Sequence, residues 1–169
     1  QIKNRYIIAA VKSGLMIIDQ KRAHERVLYE ENLRKAGMEA FAGQQSLFPE
    51  TIELNSSDYV TFIEIMDEVN QLGFDIRDLG NSTLVINSIP ANAKNSNLKD
   101  MIDEMLEVYK SYKGDLKMEA KERIARSVAR AAAIPYGKVL ESEEMRELVD
   151  QLFGCSNPNF SPSGKPVLK

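Results

Sequence analysis

Tyr6-Ile7-Ile8-Ala9-Ala10-Val11-Lys12-Ser13-Gly14-Leu15-Met16-Ile17-Ile18-Asp19-Gln20 is the stretch on which the reading of the fold turns. Two short apolar runs, Tyr6 to Val11 and Leu15 to Ile18, flank Lys12-Ser13-Gly14, a pattern that predicts a hairpin of two buried strands. Asp19 follows at once and can cap a helix running from Gln20 to about Ala36, with Gly37 as its stop. A hairpin that feeds straight into a helix begins an α+β fold.

Outward from there, Gly43 to Pro49 reads as a turn-rich connector into an alternating strand, Glu50 to Leu54. Ser56 or Ser57 caps a second helix, whose Tyr59, Phe62, Met66 and Val69 recur at helical spacing until Gly73. Phe74 to Leu79 and Thr83 to Ile89 form a second hairpin around Gly80-Asn81. Ser96 caps a third helix with a stripe of Leu98, Met101, Ile102, Met105, Val108 and Tyr112. A fourth helix runs from Leu116 to Ile134 before Pro135, and a fifth begins after Ser142 and ends at Gly154. The order is β-β-α, β-α-β-β-α, α-α. It predicts an α+β protein of two lobes, each a small sheet packed with helices. Residues 51–113 form an inserted lobe, and residues 1–50 and 114–169 form a discontinuous outer one.

The chain has 169 residues, a formal net charge of −3, one cysteine (Cys155) and one histidine (His24). A single cysteine excludes an internal disulfide, and one of each residue cannot build a Cys/His zinc centre. The acidic balance argues against a basic nucleic-acid clamp, and no apolar run reaches the roughly 18 residues that a membrane span requires. With neither initiator Met nor signal peptide, the chain is expected to be a domain of a longer cytoplasmic protein.

Chemistry concentrates in Asp19-Gln20-Lys21-Arg22-Ala23-His24-Glu25-Arg26-Val27-Leu28-Tyr29-Glu30. Asp19, Glu25 and Glu30 could gather around a hard divalent cation. Equally, Asp19 could be only a cap, and the rest an exposed, salt-bridged helix with Lys21 one turn from Glu25. Gln44-Gln45-Ser46-Leu47-Phe48-Pro49 offers a side-chain amide and two apolar anchors, as do peptides that dock in a partner's pocket; otherwise it packs on its own domain. Arg123, Arg126 and Arg130 recur on one helix and could touch phosphate, or form a solvated face with Glu119 pairing Arg123. A Cys–His nucleophile pair of His24 and Cys155 is arithmetically possible, although the two lie far apart in sequence.

The segment Asp19-Gln20-x-x-x-x-Glu25-x-x-x-x-Glu30, after an Ile-Ile-Asp strand, resembles the signature of the MutL mismatch-repair family's C-terminal domain. In endonuclease-competent members that signature is D-Q-H-A-x-x-E-x-x-x-x-E. In order along the chain, Gln44-x-x-Leu47-Phe48-Pro49 resembles the family's sliding-clamp motif and Ser127-Val128-Ala129-Arg130 its A-C-R segment. Asn157-Pro158-x-x-Ser161-Pro162-Ser163-Gly164-Lys165-Pro166 resembles its N-P-x-x-C-P-H-G-R-P tail.

The resemblance implies a homodimerising domain with an inserted regulatory lobe, tethered to an N-terminal ATPase that alone uses ATP. It implies partners as well: the sliding clamp through Gln44, Leu47, Phe48 and Pro49, a MutS-type mismatch-recognition protein through the full-length chain, and DNA indirectly. The departures carry equal weight. Family ligands for divalent ions fall on Lys21, Ala129, Ser161 and Ser163, where His, Cys, Cys and His would stand. An ammonium repels a metal ion, and hydroxyl and methyl groups are poor substitutes for thiolate and imidazole. The expectation is therefore a degenerate endonuclease site with no tightly bound metal or other cofactor. The alternative is a weak Mg- or Mn-dependent nicking enzyme that uses Asp19, Glu25 and Glu30.

Overall fold

The computed structural model describes residues 1–12, 14–35, 44–93, 97–112, 114 and 118–169, with backbone only for 44–48. The elements are β1 (Tyr6–Val11), β2 (Gly14–Asp19), α1 (Gln20–Lys35), β3 (Gln44–Glu53), α2 (Ser56–Gln71), β4 (Asp75–Gly80), β5 (Thr83–Ile89), α3 (Leu98–Tyr112), α4 (Ala120–Ala132) and α5 (Ser142–Phe153). Both sheets are antiparallel, β1-β2 and β3-β5-β4, so the architecture is α+β. No described helix is long and apolar enough to cross a membrane.

β1 and β2 pair from Tyr6 with Asp19 to Val11 with Gly14. Side chains alternate across a strand, so Ile7 and Ile18 are buried on one face while Ile8 and Leu15 are exposed on the other. The chain terminus returns to the far edge of β2: Ile17 and Lys169 exchange two backbone hydrogen bonds of 2.9 Å, and the Asp19 amide donates to the Val167 carbonyl. That edge is thereby closed, whereas on the outer edge of β1, among the described residues, Ile2 pairs with Tyr6 only.

In the second sheet β5 is central, and Leu84, Ile86 and Ser88 point to the core in strict alternation. The two-residue turn Asn81-Ser82 has positive φ at both positions, as a tight hairpin demands. The starts of α2 and α3 differ by one residue from the sequence reading, and α4 spans Ala120–Ala132, shorter at both ends than the sequence reading of Leu116 to Ile134. Asn55 rather than a serine caps α2, its side chain accepting from the Asp58 amide. Asn97 accepts from the Asp100 amide at the head of α3; Ser96, read as that cap, and Leu116, read as the start of α4, lie outside the described residues. The third strand begins at Gln44, earlier than Glu50, because residues on either side of a register shift both pair with β5.

Two buried clusters organise the interior. The larger joins β3, β4 and β5 with α2, α3 and α4 around Phe62, Ile65, Met101, Met105 and Val128. The smaller joins the β1-β2 hairpin, α5 and the chain terminus around Ile7, Ile18, Leu148, Leu152 and Val167. Each such side chain contributes about 1.5–3 kcal/mol on burial. Helix α1 serves both, giving Leu28 and Tyr29 to one and Ala23 and Val27 to the other.

Candidate functional site

Because α1 is central, the charged segment is not the solvated helix that its composition suggests. Gln20, His24, Glu25, Arg26 and Asn32 are all buried. Burying polar groups is costly unless each is hydrogen-bonded, and the partners come from distant parts of the chain. The Gln20 amide donates to the carbonyls of Asn4 and Lys138. Arg26 Nε donates to the Phe160 carbonyl at 2.7 Å.

Asp19 is buried and caps α1, its Oδ1 accepting from the Arg22 amide at 3.1 Å. Its other oxygen faces two guanidinium groups, Arg5 and Arg22, each at 3.6 Å. The Tyr136 hydroxyl lies 3.4 Å from it, and Arg5 stacks over the Tyr136 ring.

Lys21 does not pair with Glu25. Its ammonium lies 3.1 Å from Glu104 of α3, and Arg130 of α4 reaches the same carboxylate at 3.1 Å. Glu25 sits beside this network with its pKa raised: burial dominates, and the attraction of Arg130, Lys21 and Lys165 only partly offsets it. Glu25, Arg126, Arg130 and Ser163 line a common cavity of ≈ 210 Å³.

Glu30 faces elsewhere. Its carboxylate accepts from the Ser156 amide and hydroxyl, both at 2.8 Å, and approaches Arg26. Burial pushes its pKa up, but the Ser156 hydrogen bonds with those of Asn157 and the charge of Arg26 outweigh this and lower it. The three carboxylates thus answer to three separate sets of partners.

The four substituted positions are equally committed. Ala129 is wholly buried in α4, where a methyl group packs against the core. Ser161 is buried, its hydroxyl 3.0 Å from that of Ser163 and accepting from the Lys165 amide. Among the described residues no three His, Cys, Asp or Glu side chains gather in a group able to hold a metal ion. Guanidinium or ammonium groups already face Asp19, Glu25 and Glu104.

His24 and Cys155 are not arranged as base and nucleophile. His24 Nδ1 accepts from the Ile134 amide, and the Cys155 thiol donates to the Gln151 carbonyl. Burial, then the nearby Glu30 carboxylate, pushes that thiol up to about 11. The arginines of α4 are also occupied. Arg126 pairs with Glu122 and Arg130 with Glu104, while Arg123 donates to the Met118 carbonyl, where pairing with Glu119 was expected.

Gln44, Leu47, Phe48 and Pro49 fall on β3, an edge strand. The ladder to β5 is interrupted between Gln45 and Glu50, and Pro49 is exposed. The side chains of Gln44, Leu47 and Phe48 lie outside the described residues. Sequence reasoning missed Arg5, Glu104, Tyr136 and Ser156 altogether. Each lies far along the chain from the carboxylate or lysine that it serves, and no periodicity marks such a pair.

The family described as MutL C terminal dimerisation domain matches residues 1–140. A curated relative from Bacteroides fragilis, called DNA mismatch repair protein MutL, is 42% identical over 168 residues, 99% of this chain. Relatives of the same name from Phocaeicola vulgatus and Chlorobium limicola are 41% and 40% identical over the same length. The chain spans 27% of the length of each of these three proteins. Family match and relatives agree, and the chain belongs to the MutL C-terminal dimerisation domain family.

Proposed function

We propose that this chain is the homodimerisation and partner-docking module of a MutL-type DNA mismatch repair protein, an ATP-dependent matchmaker of the cytoplasm whose endonuclease site is degenerate here. The observation that carries the dimerisation reading is the outer face and edge of the β1-β2 hairpin. Leu15 is 70% exposed and Ile8 36%. Beside them a groove of ≈ 430 Å³ runs between β1 and α5, lined by Ile7, Ile8, Ala9, Met145 and Val149. An apolar edge strand that Ile2 covers at Tyr6 only invites pairing beyond that residue, and a second copy of the chain would cover it. Light scattering on the purified chain should give a dimer, and Leu15→Glu with Ile8→Glu should give a folded monomer. A dimer that survives both substitutions would overturn this interface.

The docking reading rests on Gln44, Leu47, Phe48 and Pro49, on an edge strand whose ladder lapses at the motif. Replacing Gln44, Leu47 and Phe48 by Ala should weaken binding to a sliding clamp and leave the dimer intact. Unchanged clamp affinity would return these residues to a packing role. A MutS-type partner would be engaged by the longer protein.

What supports loss of the nuclease is that cations already face the carboxylates a metal would need. Supercoiled plasmid incubated with the dimer, Mn²⁺ and clamp should stay intact. Reproducible nicking that Asp19→Asn abolishes would restore the alternative, a weak Mg- or Mn-dependent endonuclease using Asp19, Glu25 and Glu30.

A further inference from the structure

Helix α5 has two working faces. Ser142, Met145, Arg146 and Val149 turn to the groove beside the hairpin. Glu144, Glu147, Leu148 and Gln151 share the opposite face by their spacing, and they line a separate cavity of ≈ 260 Å³. Its floor is apolar and buried, made by Ile134, Leu140, Leu148 and the ring of His24. His24 Nδ1 accepts from the Ile134 amide at 3.1 Å, which fixes the ring against that floor. A ring nitrogen that accepts carries no proton, so the imidazole adds no positive charge there. Ala91 and Asn92, just past β5, complete the lining. Glu147 and Gln151 are exposed, so the cavity opens to solvent along α5.

The rim is negative. Glu144 Oε2 accepts from the Glu141 amide at 3.0 Å, and Gln151 Nε2 donates to Glu147 Oε1 at 3.2 Å. Both bonds come from neutral amides, so they orient the carboxylates without neutralising them. Among the described residues that line the cavity there is no lysine or arginine. Along its whole length α5 carries Glu143, Glu144, Glu147 and Asp150 against Arg146 alone, and Arg146 is on the groove side. An apolar floor beneath anionic oxygens suits a side chain with an aliphatic stem and a cationic head. The volume falls below the about 300–1,000 Å³ of sites that enclose a drug-sized molecule, and it suits one such side chain.

We infer that this cavity seats an arginine side chain presented by a basic segment of a partner protein. The stem lies on Ile134, Leu140 and Leu148, and the guanidinium meets the carboxylates of α5, with Glu147 foremost. Arginine suits the rim better than lysine, because its donors form a planar fork that matches carboxylate and amide oxygens. The acidic surface of α5 steers a basic segment to the mouth. An arginine in a largely desolvated pocket is also a typical anchor of protein interfaces, which favours a protein segment over a free cation. None of these residues belongs to the exposed hairpin face or to the segment from Gln44 to Pro49.

Solution NMR of the isotope-labelled 169-residue chain, titrated with a capped tripeptide of arginine between two alanines, tests it. The side-chain amides of Asn92 and Gln151 should shift and saturate with a dissociation constant on the order of 1 mM, as fits one seated side chain. The same peptide with citrulline, a neutral isostere, should bind about tenfold more weakly. Glu147→Gln should also cost about tenfold. Glu143→Gln removes the same charge from the same helix outside the cavity, and should stay within about twofold. Circular dichroism and light scattering on each variant verify fold and dimer, so failure here is distinct from failure of the dimer interface. Three results overturn the inference: no shift at Asn92 and Gln151 with the arginine peptide, citrulline peptide or spermidine binding there as tightly, or an equal loss in Glu143→Gln.

Discussion

Lys21 of α1 lies 3.1 Å from Glu104 of α3, and that contact, not one within its own helix, sets the chemistry of the site. Arg130 of α4 reaches the same carboxylate, so one glutamate ties three helices together. The charge of the lysine is answered inside the protein.

Glu104→Gln should therefore destabilise the fold by about 1–2 kcal/mol, because it leaves Lys21 and Arg130 facing one another partly buried. Urea denaturation measures this. Adding Lys21→Met to Glu104→Gln should recover part of the loss, since it removes one of the two uncompensated charges. An undisturbed midpoint in Glu104→Gln would mean that water screens the network completely.

Restoring ligands should restore metal affinity. The combination Lys21→His, Ala129→Cys, Ser161→Cys and Ser163→His supplies the imidazole and thiolate groups that zinc prefers. Elemental analysis after dialysis should find zinc retained by this variant and absent from the starting chain. Equal zinc in both would contradict the account of the substitutions.

Glu25 carries a raised pKa, chiefly through burial. A carboxyl whose folded pKa lies above its unfolded value binds its proton more tightly when folded, so stability from this group grows as pH falls through that folded pKa. At neutral pH the ionised form is the costly one. Glu25→Gln should then raise stability at pH 7 by on the order of 1 kcal/mol, and the gain should shrink as the medium is acidified. Thermal melts across that range decide it, and a gain that grows towards acid would reverse the sign.

Cys155, held up to about 11 by burial and by Glu30, should be a slow nucleophile at neutral pH. Its alkylation by iodoacetamide should accelerate about tenfold per pH unit through the mildly alkaline range, following the thiolate fraction. Glu30→Gln should speed the reaction by removing the neighbouring negative charge. A rate that levels off above about pH 9 would show an ordinary thiol.

Local pattern made most of the architecture legible. The hairpin at Tyr6 to Ile18, the cap at Asp19 and the apolar stripes of α2 and α3 are properties of neighbouring residues, and backbone preference acts over a few positions. Caps were less legible where several competent residues adjoin, as at Asn55 and Ser56, because each can accept the same orphan amide. The early start of β3 was hidden because its pairing comes from β5, some forty positions away. The motif residues could be read, but their environment could not. The charge pattern of α1 described an exposed helix, while packing by α4, α5 and the returning tail buried it.

By itself, then, the sequence determined the order of elements and the family. Only the tertiary structure decided which charges answer one another: Lys21 with Glu104, Asp19 with Arg5, Glu30 with Ser156. The physical reason is range. Element type follows from neighbours on the chain, whereas an ion pair between residues 83 positions apart exists only once the core has closed and excluded the water that would otherwise solvate each charge.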